Sequence, residues 1–369
     1  MYPAAVDAML PFLATDAANA TGTHRPGRSA RRAVDDAREE LAGMLAVDPG
    51  RVVFTSGGTE SDNLAVLGGH AARAGSVVCS AIEHPAVREA VHLVGGGEVG
   101  VDRDGVVDTV ELAATLTERD VVGDPVALVS VMTVNNEVGS IQPMGDVAAV
   151  VRRHAPDALL HTDAVQALPW LDLREIGPLV DSLSLSAHKF GGPQGVGLLV
   201  VDPLRPPAPR SVGGGQERGR RSGTHNVAGI VAMATAARLT DDRRRAETER
   251  VAKLRDRLVD GLVASLDDVV ETGDRRRKVA GTAHLCIGGI ESEALLFLLD
   301  GVGIAASAAS SCASGAQDPS HVLAAMGVAR EAARGSLRLS LGWTSTDADV
   351  DLVLAAVPAA VTRLRELGS

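Results

Sequence analysis

Lysine is almost missing from this sequence. Of 36 basic residues only Lys189, Lys253 and Lys278 are lysines and the rest are arginines, so each lysine needs its own reason. Cysteine is as sparse: Cys79, Cys286 and Cys312 are odd in number, far apart and form no Cys-x-x-Cys pair. That excludes a disulfide framework and provides no zinc or iron–sulfur ligand set, so no metal site is expected and one cysteine is left open as a working thiol. No apolar run approaches the ~20 residues of a spanning helix, and the stretch from Met1 to Leu13 lacks the basic start of a signal peptide. Positive charge is also short. The 36 basic residues face 47 acidic ones, and a net charge of −11 is the wrong field for gripping phosphate backbones. Neither nucleic acid nor a membrane is an expected partner, and the expected location is the cytoplasm.

What is present is the material of a large core. The 369 residues are 45% hydrophobic and 22% charged, a globular composition whose length allows roughly two domains. Apolar runs at Val52 to Thr55, Ser76 to Ser80, Ala127 to Val131, Ala158 to Thr162, Ser182 to Ser186 and Val196 to Val201 alternate with helical spacings such as Val34, Leu41 and Leu45. The alternation predicts an α/β fold with a mainly parallel sheet, whose ligands sit at the carboxyl ends of strands. From about Gly229 a long helix follows, with Val251, Leu254, Leu258 and Leu262 on one face and charges such as Asp241 to Arg245 on the other. An apolar run at Ala283 to Ile287, the alternation Leu337, Leu339, Leu341 and a closing helix from about Asp347 to Leu367 complete a smaller α+β C-terminal domain. The expected division is a large α/β domain over 13–240 and a small domain over 241–369 joined by 1–12.

Three segments carry chemistry. In Val52-Val53-Phe54-Thr55-Ser56-Gly57-Gly58-Thr59 an apolar strand meets a glycine pair and a helix start, whose free amides and Thr59 hydroxyl suit a phosphate. The same pattern also suits an ordinary strand-to-helix turn capped by Thr59 or Ser61. In Leu159-Leu160-His161-Thr162-Asp163 a strand ends on a carboxylate, placed to pair with a cation in a cleft or to cap a turn. In Ser182 to Pro193 a strand runs into His188-Lys189-Phe190-Gly191-Gly192, 26 residues after Asp163. Lys253 lies in the charged helix and Lys278 follows three arginines, so both are expected in solvent. Lys189 has no such setting, and a desolvated lysine forms Schiff bases with aldehydes. A lysine for an aldehyde, an aspartate for a ring nitrogen and a helix terminus for a phosphate are together the needs of pyridoxal 5'-phosphate. A dinucleotide site fits less well, because Gly191-Gly192-Pro193-Gln194-Gly195 contains proline and precedes a strand.

These residues resemble the cysteine desulfurase branch of the fold-type I pyridoxal-phosphate-dependent transferases, the class V aminotransferase group, from Tyr2-Pro3-Ala4-Ala5 to the last helix. The resemblance implies that Lys189 bonds the cofactor aldehyde, Asp163 pairs with the pyridine nitrogen, Gln166 donates to the phenolic oxygen and His84 stacks on the ring. It implies that Gly58, Thr59, Ser186 and His188 hold the phosphate, joined across a homodimer interface by Thr224, and that Asn136 and Arg338 face the substrate carboxylate. On residue type alone, His84 before Pro85 also reads as structural. Arg338, which projects opposite Leu337 and Leu339, also reads as a solvated residue.

Gly303 to Gly315 is a stretch of small residues around Cys312, which reads either as a small buried cysteine or as a mobile thiol. It resembles the Ser-Ser/Thr-Gly-Ser-Ala-Cys segment whose cysteine carries a persulfide. The resemblance thus implies that L-cysteine is converted to L-alanine with its sulfur taken by Cys312, that His84 shuttles the thiol proton, and that the sulfur passes to an acceptor protein such as an iron–sulfur scaffold or a tRNA-thiolation protein. Cys79 and Cys286 are expected in the core. Two departures stand out: no segment like Tyr-Leu-Asp-x-Ala-Ala-Thr-Thr precedes Tyr2-Pro3, and Ala308-Ala309 replaces a Ser/Thr-Gly pair. Selenocysteine lyase, cysteine-sulfinate desulfination and a non-catalytic dimeric relative stay open as alternatives.

Overall fold

The computed structural model describes residues 1–308 and 320–368. They fall into two compact units, Met1–Val99 with Val107–Val134 and Gln142–Arg244, and Gly100–Val106 with Asn135–Ile141 and Arg245–Ser369. The boundary at Arg244 lies close to the expected one near residue 240, with two differences. Residues 1–12, expected with the small domain, pack in the first unit, where the Tyr2 amide donates to the Gly191 carbonyl at 2.8 Å. The excursion Asn135–Ile141 belongs to the second unit, because Ile141 N–H donates to Arg277 at 2.8 Å and Val279 N–H to Gly139 at 3.0 Å.

In the first unit the chain runs α1 (Pro3–Leu13), α2 (Arg25–Met44), β1 (Val52–Thr55), α3 (Gly58–Ala72), β2 (Ser76–Ser80), α4 (Pro85–Leu93), β3 (Gly97–Val99), α5 (Thr109–Val121), β4 (Val126–Ser130), α6 (Met144–His154), β5 (Leu159–Asp163), β6 (Ser182–Ser186) and β7 (Gly197–Val200). The seven strands make one sheet in the order β1-β7-β6-β5-β4-β2-β3. β7 is antiparallel to both its neighbours and every other pair is parallel, so β1, β2, β4, β5 and β6 all present their carboxyl ends to the same edge. Strands β1 and β4 to β7 are buried at every position, which is why they read as unbroken apolar runs rather than alternations. β3 is three residues long and too short to stand out in sequence.

α7 (Val227–Ser265) carries the chain onward, and its predicted face of Val251, Leu254, Leu258 and Leu262 is buried. The second unit adds β8 (Val269–Glu271), β9 (Thr282–Ile287), α8 (Ser292–Asp300), α9 (His321–Ala325), α10 (Arg330–Ala333), β10 (Ser336–Ser340) and α11 (Asp347–Gly368). Its sheet is antiparallel in the order β10-β9-β8. Leu258, Leu262, Leu285, Leu337 and Leu339 share one core with Val357 and Val361 of α11. Truncating a fully buried leucine there to alanine costs about 2–5 kcal/mol. Among the described residues, no helix is long and apolar enough to cross a membrane.

Lys278 corrects the sequence reading. Its place after Arg275-Arg276-Arg277 suggested solvent, yet its side chain is 1% exposed and its ammonium lies 3.5 Å from the Glu271 carboxylate. The arginines project outward to acidic partners, whereas the lysine turns inward beside an acid on the neighbouring strand. Burial pushes its pKa down against the pull of Glu271. Lys253 is exposed, as its charged helix face predicts.

Candidate active site

The first unit gathers most of the predicted residues at the carboxyl edge of its sheet. β1 ends at Thr55 and β6 at Ser186, and both pair in register with Gly197 of β7. A side chain at Gly197 would stand 2.7 Å from the Cα of Gly57, so only glycine lets the turn after β1 close over this edge. Gly57, at φ 153°, begins α3, and a Cβ on Gly58 would lie 2.8 Å from Val165 and 3.6 Å from Ser186. The glycines thus hold open a cradle bounded by the helix amides, the exposed Thr59 hydroxyl and Ser186, whose Oγ is 2.9 Å from Nδ1 of His188. Ser61, the other capping candidate, is spent inward: its Oγ lies 2.8 Å from the Thr55 hydroxyl and donates to Leu198 at 2.9 Å.

Lys189 sits in the 3-10 turn that follows β6, which closes on Gly191 at φ 82°. A Cβ on Gly191 would collide with the Tyr2 ring at 2.5 Å, so packing and backbone both require glycine there. Contrary to the expectation of a desolvated lysine, Lys189 is exposed, because the turn lifts it off the strand edge. Its charge is nonetheless felt by three neighbours: it adds to burial in lowering the pKa values of His84 and His188, and it opposes the rise that burial causes at Asp163. His84 caps α4 by accepting the Ala86 N–H at Nδ1, 3.1 Å away. An imidazole that accepts at Nδ1 carries its proton on Nε2. Gln166 is half-buried in the turn after β5.

Asp163 is 5% exposed, and its Oδ1 accepts the Val165 N–H at 2.9 Å. Burial raises its pKa to about 6, opposed by the Val165 hydrogen bond and by Lys189. Two further acids that sequence reading did not single out lie buried around it. Asp62 of α3 is pushed up by burial and by the Asp163 charge, and the Glu83 carboxyl, which accepts the Met132 N–H at 2.5 Å, is pushed up by burial and Asp163 as well. Burial thus disfavours the charged form of all three acids, and at Asp163 the Val165 amide and the Lys189 charge work against it. His161 beside Asp62 is held neutral, its pKa lowered by burial to about 3. Asp62 and Glu83 escape sequence reading because one follows a cap signal and the other precedes a proline turn, where acids are ordinary.

The second unit brings Asn136 and Arg338 together. Asn135 Oδ1 accepts the amides of Glu137 and Val138, each at 2.9 Å, which folds the turn that carries the half-buried Asn136. Arg338 Nη1 donates to the Asn136 carbonyl at 2.9 Å, so this arginine is half-buried rather than solvated. Glu137 is buried beside it and accepts a hydrogen bond from Ser320 Oγ, the cap of α9. Burial pushes the Glu137 carboxyl up to about 7, against that bond and the Arg338 charge. Cys312 and Ala309 lie outside the described residues. Cys79 and Cys286 are buried, as expected, and burial raises both thiols, leaving them poor nucleophiles. Cys286 also lines a cavity of about 730 Å³ with Glu271, Thr272 and Met326, which holds none of the predicted site residues.

Thr224 stands apart. It is exposed on the loop before α7 and shares a hollow of about 70 Å³ with Thr55 and Ser56. In the same loop, Glu217 and Arg218 adopt left-handed φ of 49° and 58°, a conformation costing about 1–2 kcal/mol per non-glycine residue.

The donor set fits pyridoxal phosphate. One amine, one buried carboxylate and a cradle that a single Cβ would fill share one sheet edge, and the amine's charge already favours the ionised carboxylate. Comparison with known proteins agrees with this chemistry. The sequence model of the family Aminotransferase class-V matches residues 1–353. An IscS-like cysteine desulfurase of Mycobacterium tuberculosis is 44% identical, with 99% of this chain and 94% of that protein aligned. A cysteine desulfurase of Gluconacetobacter diazotrophicus is 41% identical, over 99% and 92%. Among solved structures, a NifS-like protein superposes with a TM-score of 0.90 at 34% identity, covering 99% of this chain and 97% of the other.

Proposed function

This chain belongs to the class-V aminotransferase family and is a cysteine desulfurase, and from that premise we propose how its residues divide the work. Pyridoxal phosphate, when bound, supplies an electron sink for the bonds at the substrate α-carbon. Lys189 is its point of attachment and, once released, the base that moves the α-proton. Asp163 keeps the ring nitrogen charged, Gln166 donates to the phenolic oxygen, and Gly58, Thr59, Ser186 and His188 receive the phosphate with Thr224 of a second copy. Asn136 and Arg338 orient the carboxylate of L-cysteine.

Cys312, as thiolate, attacks the substrate sulfur. A sulfur–sulfur bond forms, the carbon–sulfur bond breaks, and its electron pair returns to carbon, which takes a proton. L-alanine leaves and Cys312 holds a persulfide, with no outside oxidant or reductant. His84 stacks on the ring and presents Nε2–H; to take the Cys312 proton, its Nδ1 must first release Ala86. The enzyme works as a cytoplasmic homodimer that hands sulfur to an acceptor protein, such as an iron–sulfur scaffold.

The observation that carries this reading is the meeting of Lys189, Asp163 and the Gly57–Gly58 cradle at one sheet edge. Two substitutions test it. Lys189→Ala loses the borohydride-reducible link to the cofactor, whereas Cys312→Ala keeps that link and no longer loads an acceptor with sulfur. Persulfide delivered by Cys312→Ala would sink the assignment.

A further inference from the structure

We propose that Glu217 is a positioning residue for cofactor binding: its buried carboxylate clamps the loop that presents Thr224. The proposal rests on the reading that Thr224 supplies a hydroxyl to the cofactor phosphate held by a second copy.

The loop Ser211 to Thr224 holds Gly213, Gly214, Gly215, Gly219 and Gly223. A stretch this rich in glycine has no conformation of its own, and ordering it is entropically costly. Yet it contains the consecutive left-handed residues Glu217 and Arg218, at φ 49° and 58°. Such a pair persists only where its surroundings hold it.

One carboxylate does most of the holding. Glu217 accepts from Arg38 Nη1 at 2.9 Å and Nη2 at 2.8 Å, from the Phe54 amide at 3.2 Å and from His225 Nε2 at 2.6 Å. It is 8% exposed, and its carboxyl is held down to about 2 by His225 and Arg38 against the cost of burial, so it keeps its charge at neutral pH. A second ion pair repeats the attachment nearer the cradle. Arg221 donates to Glu60 Oε1 at 2.8 Å, and Glu60 Oε2 accepts the Ser56 amide at 2.6 Å. The loop is thus tied to α2 and to two elements that build the phosphate cradle, β1 and the first turn of α3.

Thr224 lies directly before His225, one of the four donors, and remains exposed beside Ser56. An exposed hydroxyl on a strained loop pinned by a desolvated ion pair is a preorganised donor, set in place before its ligand arrives. Purely structural stabilisation would be equally served by a loop without strain.

The test compares pyridoxal phosphate with unphosphorylated pyridoxal, each titrated into cofactor-stripped full-length protein and followed by the absorbance of the Lys189 Schiff base. Glu217→Gln keeps the shape and removes the charge. It should weaken pyridoxal phosphate about tenfold and leave pyridoxal nearly unchanged, and Thr224→Ala should do the same. Equal weakening of both ligands, or of neither, in Glu217→Gln overturns the clamp. If Thr224→Ala leaves the ratio of affinities intact, the reading of Thr224 fails instead, so the two failures are separable. Should Glu217→Gln not fold, Arg38→Lys removes the bidentate fork while keeping the charge, and the same ratio decides.

Discussion

The Arg338 guanidinium donates from Nη1 to the Asn136 main-chain oxygen at 2.9 Å, joining two residues 202 positions apart. Its Nε is buried with no hydrogen-bond partner among the described residues. A desolvated donor left unmade is costly, and a substrate carboxylate would satisfy it. Arg338→Lys keeps the charge and loses the fork, and kcat/KM for L-cysteine should fall about 10- to 100-fold, mostly through KM. Steady-state kinetics on protein with an unchanged cofactor spectrum checks this; an unchanged KM would remove Arg338 from the substrate site.

Glu137 binds its proton more tightly folded than unfolded, because burial raises its pKa from 4.5 to about 7. Folding stability should therefore fall as pH rises through that window, by at most ~3 kcal/mol. Glu137→Gln should abolish this decline. Urea midpoints of both proteins at pH 5 and pH 8 measure it, and parallel pH profiles would show that Glu137 does not titrate there.

The Val165 amide and the Lys189 charge favour the ionised form of Asp163 against its burial. Asp163→Asn should lower kcat about 10²- to 10³-fold, as removal of one preorganised electrostatic partner does. Asp62→Asn removes an acid whose charged form burial already disfavours and should cost far less. Equal losses in the two variants would mean that the charge resides elsewhere in the cluster.

The buried pair Lys278 and Glu271 should respond asymmetrically. Glu271→Gln strands a buried ammonium and should destabilise by about 3–5 kcal/mol, whereas Lys278→Met should be neutral or stabilising. Thermal melts of the two variants decide; a strongly destabilised Lys278→Met would show that the ammonium is worth its burial.

The regular elements were legible because their cause is local. Strands buried on both faces must be apolar throughout, so Val52–Thr55 and Ser182–Ser186 announce themselves, and α7 declares its inner face through Val251, Leu254, Leu258 and Leu262. Lys189, Asp163 and the Gly57–Gly58 pair could be singled out, since a glycine pair or a lone lysine at the end of an apolar strand adds nothing to the packing of that strand, although the glycines and Asp163, each taken alone, read equally as an ordinary turn or cap. Tertiary packing alone decided the rest. No local pattern separates a lysine that faces solvent from Lys278, whose stem is buried because Glu271 happens to lie on the neighbouring strand. Nor could charge sites be ranked from residue type: Asp62, Glu83 and Asp163 are all acids near strand or helix ends, and only the Lys189 charge and the Val165 amide set Asp163 apart. Glu217 sits in a glycine-rich loop that predicts nothing but freedom, and four donors from α2, β1 and His225 convert it into an anchor. Local residue chemistry thus specifies which groups are available, while desolvation and long-range pairing, which depend on every neighbour at once, specify what state each is in.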